Sequence, residues 1–241
     1  MLEIPIPSAV APEQLQVWKV DLLAWESHSP LFRPLLSDAE AERLERFKVQ
    51  TKKNEFLISH GLLRLILGAY LGKDPKELEI EVSDHGKPFL RTGELGFNIS
   101  HSGKFLLCAC GLWPQIGVDI QEMYEISGKE RIIERYFSPA EKDYLNSTNK
   151  PSKESFFELW AAKEALLKAM GSGFQVSPAE VSLVPDPGIH GSFTASVPGI
   201  YSQAWSVKNL EIGGNFKAAA AVDGNIKTTM LIPLLSGSTV S

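Results

Sequence analysis

The sequence is poor in the residues that mark disulfide-linked, zinc-binding and membrane-embedded proteins. It contains only two cysteines and five histidines, and these do not show the spacing of a zinc site. No apolar stretch is long enough to span a bilayer, and the start of the chain lacks the basic and apolar regions of a signal peptide. We therefore expect a cytoplasmic protein with no membrane partner.

An excess of positive charge is also missing. The formal net charge is -5, whereas binding to duplex nucleic acid depends on clustered Lys and Arg that displace counterions. We therefore expect no nucleic-acid partner, and any polyanion must bind at a local basic patch. The hydrophobic share of 44% and the charged share of 22% are typical of a globular protein with a substantial core.

The two cysteines lie two positions apart in an apolar segment. Cys108 and Cys110 alternate with Leu107 and Ala109, so a strand would direct both thiols to the same face. This geometry is poor for a disulfide between them. The pattern predicts two free thiols buried in a strand.

Two segments share the pattern S-x-A-E-x-x-x-L, Ser37–Leu44 and Ser138–Leu145. In each, the serine can cap a helix while the glutamate three residues later, Glu40 or Glu141, reaches back to the cap. The same offset brings a phenylalanine onto a phenylalanine and a glycine onto a glycine farther along, at positions 56 and 157 and positions 72 and 173. The chain therefore contains an internal repeat of two helices.

This repeat predicts an α+β fold made of two similar subdomains that arose by internal duplication. We expect a pseudo-twofold axis, helices packed on a small β-sheet in each subdomain, and an active site in the cleft between them. The predicted subdomains are residues 1–114 and 115–241, and the tail from about residue 225 carries no signal.

The segment from Phe156 to Gly171 predicts a helix, because it is rich in Ala, Leu, Glu and Lys and ends at glycine. This apolar helix carries Lys163, Glu164 and Lys168 in its middle. The repeat offset aligns those three charges with leucines in the first half, at positions 62, 63 and 67. The fold therefore does not require them, which favours a functional role.

Asp119 lies between Val118 and Ile120, so alternation along a strand turns its carboxylate away from those apolar side chains. Asp119 and Glu164 together suit a hard divalent cation such as Mg²⁺ that bridges phosphate oxygens. The residues alone leave simpler readings open. Asp119 can be a turn or capping residue, and Glu164 can form an ion pair with Lys168 on one helix face.

Further candidates for anion binding are scattered along the chain. Lys87 precedes Pro88, and His101 lies in a polar, glycine-flanked turn where it can bind a phosphate or simply hold the turn. A basic stretch that includes Lys52 and Lys53 is either a solvated surface or the local anion patch of this acidic protein.

Four of these segments occur together in the order typical of one enzyme family. The chain resembles the Sfp-type 4'-phosphopantetheinyl transferases over roughly residues 15 to 225. The motifs that carry the resemblance are G-K-P at 86–88, N-x-S-H-S at 98–102, G-V-D-I at 117–120 and W-x-x-K-E-x-x-x-K at 160–168.

The resemblance implies transfer of the phosphopantetheine arm of coenzyme A to a serine of an apo acyl or peptidyl carrier protein, with release of 3',5'-ADP. Asp119 and Glu164 would bind Mg²⁺, Glu164 would also act as the base, and Lys168 would hold the pyrophosphate. The coenzyme-binding residues that it implies are Lys87, Pro88, Ser100, His101, Lys163, Lys168 and either Lys52 or Lys53.

One position departs from the family pattern. Many members have Glu two residues after the motif aspartate, whereas this chain has Gln121. An amide supplies an oxygen without charge, so we predict a third metal ligand that gives weaker Mg²⁺ binding. The departure also motivates an alternative function, a non-catalytic module that binds coenzyme A or a carrier protein. A Mg²⁺-dependent phosphoester hydrolase is the third hypothesis.

Carrier proteins in this chemistry are usually acidic, so we expect them to meet a basic or apolar patch near the cleft. The segment from Glu122 to Tyr136 contains Lys129, Arg131 and Arg135 and is the candidate, although it can equally be a solvated helix and loop. Since one chain already supplies two lobes, we expect a monomer.

Overall fold

The computed structural model describes residues 4–147, 152–171, 176–199 and 204–236. The fold mixes helices with mostly antiparallel strands, which confirms the predicted α+β class. The first part comprises β1 (Gln14–Asp21), a 3-10 segment (Leu22–Leu35), α1 (Asp38–Glu45), α2 (Gln50–Leu71), a 3-10 turn (Pro75–Glu77), β2 (Ile80–Val82), β3 (Pro88–Leu90), β4 (Gly96–Ser102) and β5 (Phe105–Gly111).

The second part starts at β6 (Ile116–Glu122) and continues with α3 (Lys129–Tyr136), α4 (Pro139–Ser147), α5 (Ser152–Met170), a 3-10 turn (Pro178–Glu180), β7 (Ser182–Pro185), β8 (Ser192–Ser196), β9 (Trp205–Leu210), β10 (Phe216–Asp223) and β11 (Thr228–Leu234). The helix predicted from Phe156 is confirmed as α5 and begins earlier than expected. Within the described ranges, no helix is long and apolar enough to cross a membrane.

Two sheets form the centre of the molecule. The strand order is β11-β1-β5-β4 in the first sheet and β6-β10-β9-β8-β7 in the second, while β2 and β3 form a separate hairpin. Helix α2 packs on the outer face of the first sheet, and α5 packs on the outer face of the second. Each of these helix–sheet contacts forms one apolar core. A third apolar core fills the space between the sheets, with side chains from β1, β5, β6 and β10.

The chain returns to the first sheet near its C-terminal end. Strand β11 pairs in parallel with β1, with Gln14 opposite Thr228 and Val20 opposite Leu234. The segment from about residue 225 was predicted to carry no signal, yet it supplies an edge strand to the sheet of the other half. A division at residue 114 therefore separates the two groups of elements along the chain, but it does not separate the two sheets, because β11 belongs to the first one.

Both predicted helix caps are present. Ser37 and Glu40 form a reciprocal capping box at the start of α1. The backbone N–H of Ser138 donates to Glu141 at 2.7 Å, and the N–H of Glu141 donates to the Ser138 hydroxyl at 3.4 Å. The repeated sequence pattern thus produces the same local structure twice.

Each capping glutamate also forms an ion pair with a cation on the long helix that follows. Arg64 Nε donates to Glu40 at 2.6 Å, and Lys163 Nζ donates to Glu141 at 2.6 Å. These contacts show that Lys163 in the second half corresponds to Arg64 in the first half. The constant offset of the sequence repeat had aligned Lys163 with Leu62, two residues earlier. The cation at this position therefore belongs to the fold.

The C-terminal ends of α2 and α5 also correspond at an offset two residues smaller than that of the sequence repeat. Gly72 caps α2 in the left-handed conformation with φ of 61°, and Gly171 follows α5 with φ of 61°. Gly173, which the sequence offset had matched to Gly72, lies outside the described residues. The expected thiols are confirmed, since Cys108 and Cys110 are free and buried in β5.

Candidate active site

Helix α5 approaches β6 unusually closely at Gly117. A Cβ atom built on Gly117 would lie 1.9 Å from the carbonyl oxygen of Ala165 and 2.4 Å from the nitrogen of Ala169. Only a glycine permits this backbone contact. The contact brings Glu164 and Lys168, on the same helix, beside the strand that carries Asp119.

Asp119 faces α5, as predicted from alternation, while Val118 and Ile120 face the core between the sheets. Lys168 Nζ donates to Asp119 Oδ1 at 2.6 Å, to the Ser100 hydroxyl at 2.8 Å and to the Val118 carbonyl at 3.3 Å. These contacts use all three N–H groups of the ammonium. The structure thus joins Asp119, Lys168 and Ser100 in one cluster.

Ser100 is the central hydroxyl of this cluster. Besides accepting from Lys168, it donates to Asp119 Oδ1 at 3.0 Å and accepts from the backbone N–H of Ile120 at 3.4 Å. A hydroxyl has one donor and two acceptor positions, so all are occupied. Ser100 can bind a phosphate, as the resemblance implied, only by exchanging one of these contacts.

Glu164, on α5 like Lys168, is the fourth member of the cluster. Burial raises the pKa of its carboxyl group, the neighbouring Asp119 raises it further, and Lys168 lowers it. A carboxyl group with a raised pKa is a better proton acceptor in the neutral range than an ordinary glutamate.

A cavity of about 370 Å³ opens beside the cluster. It is lined by Glu164 and Lys168 on α5, by Asn98 on β4 and by the G-K-P segment, and Tyr136 at the end of α3 closes another side. The lining therefore comes from both halves of the chain.

Lys87 connects the two halves at the rim of this cavity. Its ammonium donates to the carbonyl of Ala169 at 2.7 Å, near the C-terminal end of α5 where carbonyl groups lack helical partners. Burial lowers the pKa of Lys87 to about 8, and the charge of Asp223 opposes this shift. Pro88, also predicted at the coenzyme, lines the same cavity.

His101 lies on β4, within electrostatic range of Lys52 and Glu55 at the start of α2. Burial lowers the pKa of its ring, Glu55 opposes this effect, and the charges of Lys52 and Lys168 lower the pKa further. Although the residue retains much solvent exposure, these influences place it within a group of charged side chains. His101, Lys52 and Lys168 thus form a basic margin of the site.

The sequence left open whether Lys52 or Lys53 belongs near His101. Lys52 pairs with Glu55 at 2.7 Å, and both influence the His101 ring. Lys53 instead pairs with Glu45 on the preceding helix at 2.6 Å. The geometry therefore favours Lys52.

Lys163 is placed away from the cavity, contrary to the prediction that it binds the coenzyme. Its side chain is 1% exposed, and its ammonium donates to Glu141, to the Tyr136 carbonyl at 2.9 Å and to the Pro178 carbonyl at 2.7 Å. These partners saturate its N–H groups. The ammonium therefore holds α5 to its neighbours and has no free donor for a phosphate.

Gln121 lies next to the carboxylate cluster. Its amide nitrogen donates to Asp119 Oδ2 at 2.7 Å. Within the described part of the chain, no group of three His, Cys, Asp or Glu side chains is arranged to hold a metal ion. The remaining donors, two carboxylates and one amide oxygen, still suit Mg²⁺, which needs few protein ligands when water and phosphate supply the rest.

Sequence reasoning missed the polar row along β4. Asn98, Ser100 and Ser102 alternate on one face of the strand and accept hydrogen bonds from the backbone of β6. The alternation in N-x-S-H-S was the available signal, but its partners belong to another sheet and are not visible in the sequence.

Comparison with known proteins places the chain in a family. A sequence model described as the 4'-phosphopantetheinyl transferase superfamily matches residues 115–221, and one described as 4'-phosphopantetheinyl transferase, N-terminal, matches residues 24–112. The chain is 34% identical over 218 residues to the 4'-phosphopantetheinyl transferase HetI of a Nostoc species. The matched region covers 88% of this chain and 89% of HetI.

Two further relatives are more distant. The 4'-phosphopantetheinyl transferase Sfp of Bacillus subtilis is 28% identical, over 78% of this chain and 82% of its own. The L-aminoadipate-semialdehyde dehydrogenase-phosphopantetheinyl transferase of Schizosaccharomyces pombe is 29% identical, over 63% of this chain and 65% of its own. These relatives are group-transferring enzymes. The chain belongs to the 4'-phosphopantetheinyl transferase superfamily, which confirms the resemblance inferred from its four motifs.

Proposed function

We propose that this enzyme transfers the 4'-phosphopantetheine group of coenzyme A to a serine of an apo acyl or peptidyl carrier protein and releases 3',5'-ADP. The observation that carries the proposal is the meeting of Asp119 with Glu164 and Lys168, the last two of which line the cavity between the halves. Two carboxylates and a lysine beside a cavity suit a reaction at a pyrophosphate.

In this proposal the serine oxygen of the carrier attacks the β-phosphorus of coenzyme A. The bond from that phosphorus to the bridging oxygen breaks, and 3',5'-ADP leaves with that oxygen. Glu164 accepts the proton of the serine, directly or through water, which its raised pKa favours. Lys168 exchanges its contacts with Ser100 and the Val118 carbonyl for pyrophosphate oxygens.

Asp119 and Glu164 would hold Mg²⁺, with Gln121 as the neighbouring amide. When bound, the metal ion would neutralise charge that builds on the phosphoryl oxygens. Lys87, Pro88, Ser100, His101 and Lys52 would surround the coenzyme. The cavity beside Lys87 and the basic margin at His101 support this assignment.

We also propose that the two halves arose by duplication about a pseudo-twofold axis, with the active site in the cleft between them. The matched ion pairs Glu40–Arg64 and Glu141–Lys163 support this. So does the contact of the Phe105 and Phe216 rings, whose centroids are 4.9 Å apart, because these residues start corresponding central strands. Since one chain provides the whole cleft, a monomer is sufficient.

The proposed carrier surface is α3 and the loop before it. Arg131 and Arg135 are exposed, and Tyr136 of the same helix lines the cavity. An acidic carrier that contacts α3 would place its serine near Glu164. Charge reversal of Arg131 and Arg135 should raise the KM for the carrier and leave the KM for coenzyme A unchanged. An equal increase in both values would contradict this assignment.

The decisive experiment measures the intact mass of purified apo acyl carrier and apo peptidyl carrier proteins after incubation with this protein, coenzyme A and Mg²⁺. We expect a gain of one phosphopantetheine group, and no gain with Glu164→Ala. Free phosphopantetheine without a modified carrier would indicate a hydrolase. Retained coenzyme A binding without a mass gain on either carrier would indicate a binding module.

A further inference from the structure

The strands β4 and β6 lie side by side at the junction of the two sheets, yet they are not paired. Each is the last strand of its own sheet. An unpaired edge leaves backbone N–H and C=O groups that need other partners. At the opposite edge of the first sheet, β11 covers β1 by ordinary pairing.

Side chains of β4 replace backbone pairing at the edge of β6. Asn98 Oδ1 accepts from the N–H of Val118 at 2.9 Å, and the Ser100 hydroxyl accepts from the N–H of Ile120 at 3.4 Å. Direct pairing of the strands would bring them about 4.8 Å apart and close the space between them. The inserted side chains hold the strands apart and satisfy both buried N–H groups.

Asp119 lies between the two anchored residues. Val118 is fixed at both backbone groups, since Asn98 accepts from its N–H and Lys168 donates to its carbonyl. Asn98 is 5% exposed and Val118 is fully buried, so water does not readily replace the hydrogen bond. Asp119 itself lies opposite Ala219 of β10, so the hydrogen bond to Asn98 supports β6 on its other edge, from the first sheet.

We propose that Asn98 is a positioning residue, whose side-chain oxygen fixes β6 so that Asp119 and Lys168 meet in the geometry needed for metal and pyrophosphate binding. It acts through Val118 and not by contact with the reacting atoms. The inference deepens the proposed function and rests on the proposed metal site at Asp119. It gives the first residue of N-x-S-H-S, which also lines the cavity, a role in holding β6.

The test compares Asn98→Leu, which removes the acceptor, with Asn98→Ser, which retains a shorter one. Ser102→Ala is the matched control, because Ser102 accepts from the N–H of Glu122 at 2.9 Å at the exposed end of the same row. The measurements are hydrogen exchange of the Val118 amide, the Kd for Mn²⁺ by calorimetry without coenzyme A, and kcat.

We expect Asn98→Leu to lose protection of the Val118 amide and to weaken Mn²⁺ binding about tenfold, as removal of partners that orient metal ligands commonly does. Asn98→Ser should give an intermediate Kd, and Ser102→Ala should bind Mn²⁺ like the wild type. The kcat values should follow the same order. If Asn98→Leu does not fold, the comparison of Asn98→Ser with the wild type still tests the idea.

Loss of Val118 protection with unchanged Mn²⁺ affinity and unchanged kcat would overturn the proposal, because Asn98 would then be only structural. A different outcome would count against the proposed metal site itself. If the wild-type protein binds Mn²⁺ no better than Asp119→Ala does, the ion does not bind at Asp119.

Discussion

Lys168 Nζ lies 2.6 Å from Oδ1 of Asp119. A divalent cation bound to Asp119 would approach the same carboxylate, so the ammonium and the metal ion compete for it. Pyrophosphate resolves this competition, because its oxygens can accept from Lys168 and also coordinate the metal. Metal ion and coenzyme should therefore bind cooperatively.

Lys168→Met should lower kcat about 100-fold or more, because it removes a charged donor from the developing phosphoryl charge. The same change should tighten Mn²⁺ binding in the absence of coenzyme, since Asp119 loses its competing partner. Titration calorimetry and steady-state rates measure the two effects. Lys153→Met is the control on the same helix, where the lysine pairs with Glu125. A parallel loss of kcat and Mn²⁺ affinity would refute the competition.

Glu164→Gln should stabilise the protein at neutral and higher pH. The pKa of Glu164 is raised in the folded state, so the ionised form costs stability once the pH exceeds the unfolded value of about 4.3. The cost is absent below both pKa values and is complete above the folded one. Urea unfolding from about pH 4 to about pH 8 should show a growing advantage for Glu164→Gln. A constant difference across this range would contradict the assignment.

Lys52→Ala and Lys53→Ala form a matched pair for the basic margin. Lys52 lies near His101, whereas Lys53 pairs with Glu45 on the preceding helix. Loss of a charge-assisted contact should raise the KM for coenzyme A about three- to tenfold in Lys52→Ala alone. The family resemblance implies that His101 lies near the 3'-phosphate of coenzyme A. With dephospho-coenzyme A, which lacks that phosphate, Lys52→Ala should therefore match the wild type. An equal effect on both substrates would place Lys52 elsewhere.

Gln121→Glu should strengthen Mg²⁺ binding and destabilise the metal-free protein. The present amide donates to Asp119, whereas a carboxylate there would repel it until a cation binds between them. Thermal melts with and without Mg²⁺ should therefore show a larger metal-induced increase in Tm for the variant. An unchanged increase would mean that position 121 does not face the ion.

Lys163→Met tests the structural role found for this residue. Removing one member of a buried ion pair typically costs about 3–5 kcal/mol, because Glu141 would remain buried without its partner. The fraction that remains folded should retain the wild-type KM for coenzyme A. Denaturant unfolding and kinetics at low temperature separate the two effects. A raised KM for coenzyme A with little loss of stability would instead indicate that Lys163 binds the coenzyme.

The sequence was informative where function or structure depends on local spacing. The capping boxes at Ser37 and Ser138 need only three residues, and the side on which Asp119 lies follows from alternation along one strand. Glycine in G-V-D-I was visible as a motif residue, but its reason, the backbone contact with Ala165, needs the packing of a helix on a strand.

Contacts between distant segments could not be derived in the same way. A constant offset between the halves misassigned Lys163, because the connections before and after the helices differ in length and shift the register by two residues. Asn98 carries no sign in the sequence that its partner is Val118 in another sheet. Pairing of β11 with β1 was likewise not apparent from the residues of either strand.

The pairing of β11 with β1 also affects how the protein is made. Strand β1 can pair with β11 only after Thr228 has been synthesised, more than two hundred residues after its partner Gln14. During translation, therefore, the first sheet must persist with an open edge while the whole second half is synthesised. This late closure makes the nascent chain, more than the finished enzyme, the form that is exposed to aggregation.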